Sequence, residues 1–86
     1  MSRSIRRVPL VPQIDGPQTL ALPAGAEILD VVLHDGTPHL VVLANPDAPP
    51  VDRVFMVCRE GVVVPDTGRW VGAAGHHGGR ALHVFE

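Results

Sequence analysis

The sequence is short of the residues that several large functional classes depend on. It has one cysteine, Cys58, which excludes an internal disulfide and a cysteine-based zinc site and is compatible with a reducing compartment. It has no lysine, and its net charge is −2 with the five histidines neutral. A general nucleic-acid binder carries a basic footprint, and here the only candidate is Arg3, Arg6 and Arg7, read as a solvated lead into the first strand. No apolar run approaches the ~18–20 residues that span a bilayer, and no signal-peptide core is present, so the expected location is the cytoplasm, away from membranes. Aromatics are scarce: Phe55, Trp70 and Phe85 are the whole set, which leaves valine and leucine to build the core.

What is plentiful is turn chemistry. Nine proline and nine glycine residues in 86 break the chain into short pieces with few runs of good helix formers. Short strands joined by tight turns are the expected form. The clearest unit runs from Ala26 to Ala44, where two β-branched-rich runs flank Asp35-Gly36. A type I′ turn needs positive φ at both central residues, which Gly accepts and Asp tolerates. That turn pairs His34 with Thr37, Val32 with His39, Val31 with Leu40 and Leu29 with Val42. One face is then wholly apolar (Leu29, Val31, Leu33, Leu40, Val42). The other is apolar but interrupted by Asp30, His34 and His39, with Asp30 and His39 placed to form a diagonal pair. A hairpin apolar on both sides calls for cover on both, from a second sheet or another subunit.

Around this unit, Ile5 to Val11 reads as an edge strand because of Pro9 and Pro12, and Gln18 to Leu22 as a second strand. Asn45 to Pro50 is a stiff loop. Val51 to Glu60 is the longest strand, with Val51, Arg53, Phe55, Val57 and Arg59 on one face, and Val62 to Val64 continues it. Arg69 to Ala74 and Arg80 to Phe85 read as a closing hairpin around 75–79. Residues 1–86 form one domain: an all-β small antiparallel sandwich or barrel of six to seven strands, expected to be a homo-oligomer.

The order of several blocks carries a resemblance. Ile5-Arg6-Arg7-Val8 is followed by Gln18 to Leu29, containing Leu22-Pro23-Ala24-Gly25-Ala26, then by Pro46-Asp47-Ala48-Pro49, Trp70-Val71-Gly72 and a final His83-Val84-Phe85-Glu86. This pattern resembles a family of small phage- and prophage-encoded proteins with no established activity. The chain departs from the family at Glu60-Gly61, where the family favours Thr-Gly, and at Arg80-Ala81-Leu82, where it favours an aromatic residue. The resemblance implies a phage setting within a host cytoplasm and a compact all-β fold, and it supplies no catalytic residues.

Five histidines invite a metal site, but His76 and His77 are adjacent in a turn and no close set of three or four ligands is evident, so no metal or cofactor is expected. There is no Gly-x-Ser-x-Gly elbow, and Cys58 in an apolar strand reads as packing rather than as half of a Cys/His dyad. An enzyme is not expected. The best functional candidate is Gly68 to Arg80, where Arg69 and Arg80 offer bidentate donors, Trp70 a stacking face, and His76 and His77 further polar groups. These five residues suit a small anionic, nucleotide-type ligand. The bland alternative is a hairpin with small residues packed beneath a core tryptophan. The function expected is a non-catalytic phage accessory protein sequestering such a host defence signal, or otherwise a virion or assembly component docking on another phage protein.

Overall fold

The computed structural model describes residues 2–11, 16–61, 68–75 and 81–86. The described residues form seven strands: β1 (Ser4–Pro9), β2 (Pro17–Pro23), β3 (Glu27–His34), β4 (Thr37–Ala44), β5 (Pro50–Arg59), β6 (Trp70–Ala74) and β7 (Leu82–Phe85). They form two antiparallel sheets, β1-β4-β3 and β2-β5-β7-β6. The fold is a small β-sandwich. Among the described residues no helix is long and apolar enough to cross a membrane.

The β3–β4 hairpin closes on Asp35-Gly36, with φ of 53° and 76° as a type I′ turn requires. Val31 opposes Leu40, Val32 opposes His39 and His34 opposes Thr37, the expected register. Beyond Asp30 it departs: Ile28, not Leu29, opposes Val42, because a β-bulge inserts Leu29 as an extra residue. Ile28 therefore takes the inward place and Leu29 is exposed. The expected Asp30–His39 pair does not form. Asp30 Oδ1 accepts the Val31 N–H (2.8 Å) at the bulge, and His39 Nδ1 donates to the Thr37 carbonyl (2.9 Å).

Alternation sets the core. Val31, Leu40 and Val42 from the first sheet meet Leu22, Phe55, Val57 and Val84 from the second, all within 3% of full burial. Val51 and Arg59 on the face shared with Phe55 and Val57 stay exposed because they lie towards the strand ends. The two sheets approach most closely where edge β3 meets edge β6. Gly72 lies directly under Val31, and a Cβ added there would stand 2.8 Å from Val31 Cγ2. At the opposite edge the Gln18 side chain acts as a strand mimic: its amide donates to the Val11 carbonyl and accepts from the Val11 N–H, both at 2.8 Å. The ladder of β1 continues one residue beyond Pro9 through Leu10 N–H to the Pro38 carbonyl (2.9 Å), which seats Leu10 in the core.

Of the two faces of the β3–β4 hairpin, only one is covered by the second sheet. The outer face of β1-β4-β3 carries Ile5 at 65% exposure beside Leu43, and Val32 and Val41 half-buried.

Candidate functional site

At one end of the sandwich an inward-facing arginine ties the sheets together. Arg53 sits on the apolar face of β5, next to Phe55, whose ring centroid lies 5.8 Å from its guanidinium carbon. A charge there needs partners. Arg53 grips the Glu86 carboxylate with two nitrogens, Nε to Oε2 and Nη2 to Oε1 (2.6 Å), while Nη1 donates to the Ala26 carbonyl (2.6 Å) at the start of β3. Both side chains are 19% exposed. The Arg53 guanidinium holds the Glu86 carboxyl below its ordinary range, against the opposing effect of burial.

Glu86 fixes the next residue of interest. Its N–H donates to the Arg69 carbonyl (2.8 Å) and its carbonyl accepts the Arg69 N–H (2.9 Å), so Arg69 joins the ladder just before β6. The Arg69 side chain stays 75% exposed, with only a 3.5 Å approach to Glu86. Trp70 follows, opposite Phe85, on the outer face of the four-stranded sheet. It is 56% exposed, so it is not a core residue. Its ring is nonetheless tethered: Nε1 donates to His83 Nδ1 (3.1 Å). An indole N–H only donates, so His83 Nδ1 must accept; the neutral ring then carries its proton on Nε2 and donates to Glu60 Oε2 (3.2 Å).

This relay also bears on Cys58, which lies opposite His83 on β5. Cys58 is 1% exposed, stands outside the main core cluster, and burial pushes its thiol pKa up. With both imidazole nitrogens engaged, His83 offers it no base. Cys58 in the folded protein is therefore expected to react with a thiol reagent such as Ellman's reagent about a hundredfold or more slowly than in urea, because the thiolate is both scarce and covered. Comparable rates in the two conditions would contradict this placement.

Of the residues expected to bind a ligand, Arg69 and Trp70 are adjacent and exposed. His76, His77 and Arg80 lie outside the described residues. Among the described residues no group of three or more His, Cys, Asp or Glu is placed to hold a metal ion. An apolar groove of about 180 Å³ runs between edges β1 and β2, lined by Arg6, Val8, Leu22, Pro23 and Val42 among others. Ligand pockets of ordinary size span roughly 300–1,000 Å³, so this groove is too small for a nucleotide. Sequence reasoning missed Arg53, Glu86 and the Glu60–His83 pair. The one usable signal was Arg53 itself, a charge set between Val51 and Phe55 on a strand face whose other charge, Arg59, lies at the strand end.

No curated protein and no solved structure matches the chain. A family model does, over residues 1–86, and by that match the chain belongs to the DUF7352 family, described as a domain of unknown function.

Proposed function

We propose that this protein is a non-catalytic binding module whose Arg69–Trp70 corner takes a planar anionic ligand of nucleotide type. In the fuller form of the proposal it is a phage or prophage accessory protein that sequesters a nucleotide defence signal in the host cytoplasm. The observation that carries it is Trp70: a large aromatic face left open to solvent, yet held in one orientation through His83 and Glu60. A solvent-facing ring that is already ordered loses little entropy on stacking, and the preceding residue, Arg69, 75% exposed, carries a guanidinium suited to phosphate. Base–aromatic stacking contributes about 1–3 kcal/mol, so Trp70→Ala should weaken binding by roughly 5- to 150-fold.

Native mass spectrometry of the untagged protein from a bacterial host, followed by calorimetry against mono-, di- and cyclic nucleotides, tests this. The expected result is a retained mass of a few hundred daltons, or saturable heat, that Trp70→Ala diminishes. A bare protein mass together with no heat from any of these nucleotides overturns it. A second reading draws on the same ring, because exposed Trp and Arg are also the commonest anchors of protein interfaces. Co-purification of the protein with phage particles, lost in Trp70→Ala, would favour docking on another phage protein instead.

A further inference from the structure

The outer face of the three-stranded sheet has a pattern that specifies its own partner. Register and alternation arrange it in rows across β1, β4 and β3: Ile5-Leu43-Glu27, Arg7-Val41-Asp30 and Pro9-His39-Val32. An apolar column, Leu43 and Val41, runs down the central strand. A cation stands on one flank of Val41 and an anion on the other. Arg7 and Asp30 are both exposed, sit on strands separated by β4, and do not pair with each other within one chain. Arg7 makes no ion pair among the described residues, and no described strand covers this face, which the exposed Arg3–Glu27 pair (3.7 Å) crosses at its Leu43 end.

We propose that this face is a homodimer interface. Two copies pack face to face about a twofold axis running along β4, with Arg7 of each copy over Asp30 of the partner subunit. Such an axis exchanges the flanks, so β1 of one copy lies over β3 of the other. Val41 and Leu43 meet their own counterparts; the two charge pairs flank Val41, and Ile5 of each copy comes over Glu27 of the partner subunit. An axis across the strands would instead set β1 on β1 and bring Arg7 against Arg7, so the charges choose between the two arrangements. Edge-to-edge pairing of β1 is opposed in the same way by Arg6 and Arg7.

The size of the face sets the strength. Three strands of up to eight residues cover roughly 26 by 14 Å, or about 700 Å² for two copies. Stable complexes bury about 1,200 Å² or more, so the dimer is weak and concentration-dependent. This inference is independent of the Trp70 corner, which belongs to the other sheet.

Sedimentation velocity at protein concentrations up to roughly millimolar tests it with two charge reversals. The wild type should move from monomer to dimer as concentration rises. Arg7→Asp places two acids together at each pair, and Asp30→Arg places two bases, so each should weaken the dimer by about tenfold or more. Mixing the two variants should restore dimerisation. The acid introduced at position 7 of one variant then meets the base introduced at position 30 of the other, and the unaltered Arg7 and Asp30 likewise form a pair. Both substitutions are at exposed positions, and unchanged circular dichroism checks that the variants fold. A monomer at every concentration, a dimer indifferent to either reversal, or single variants that do not recover on mixing would each overturn the proposal.

Discussion

Replacing Arg53 with alanine is expected to destabilise the protein by about 2–3 kcal/mol, because it leaves the Glu86 carboxylate and the Ala26 carbonyl without their donor in a mostly buried site. The full cost of breaking a buried pair is about 3–5 kcal/mol, and the 19% exposure of each side chain reduces it. In a domain of this size, 1 kcal/mol corresponds to roughly 4–8 °C, so the melting temperature should fall by about 10–20 °C. Calorimetry or thermal circular dichroism reads this directly, and a loss below about 3 °C would mean that the clamp is dispensable.

The same pair gives the protein an acid dependence of defined sign. Arg53 lowers the native pKa of Glu86. A carboxyl with a depressed native pKa stabilises the fold at pH above its unfolded value, about 4.3 for Glu. The contribution declines as pH falls below that value and is gone once pH has passed through the lowered native pKa. Wild type should therefore lose stability across this window more steeply than Arg53→Ala. Parallel pH profiles for the two proteins would contradict the assignment.

The second large effect is expected at Gly72. An alanine Cβ there would stand 2.8 Å from Val31 Cγ2 and 3.4 Å from its Cβ. Val31 is buried and its β-branched side chain has little rotamer freedom to retreat, so β3 and β6 must separate. Overpacking of this kind costs about 1–3 kcal/mol. Adding Val31→Ala removes the obstructing methyls, and the double variant should be more stable than the sum of the two losses predicts by roughly 1 kcal/mol or more. Strict additivity in chemical denaturation would show that the two residues do not limit the approach of the sheets.

These two positions show what the sequence did and did not disclose. The Asp35-Gly36 turn and the pairing from His34–Thr37 to Val31–Leu40 were legible because turn geometry and alternation are local rules. The Leu29 bulge was not, since an inserted residue leaves the hydrophobic pattern on both sides intact while shifting its phase. Gly72 read as one of the small residues of a closing-hairpin strand beside Trp70; its actual constraint is a contact with Val31, far earlier in the chain. The apolar runs told that two sheets would pack, but not that the outer side of β1-β4-β3 would have no covering strand among the described residues. Trp70 was identified as a binding candidate from its glycine and arginine neighbours, whereas its tether to His83 depends on the cross-strand register of β6 and β7.

That tethered, open ring is the centre of the functional account, and Trp70 is the only tryptophan in the chain. Intrinsic fluorescence therefore reports on it without interference. The most direct measurement is a titration of the wild-type protein with nucleotides, followed at the tryptophan emission band. The account predicts saturable quenching by at least one of them, with Arg69→Ala shifting the midpoint to higher concentration. Quenching that rises linearly with every nucleotide, as it does for free tryptophan, would contradict it.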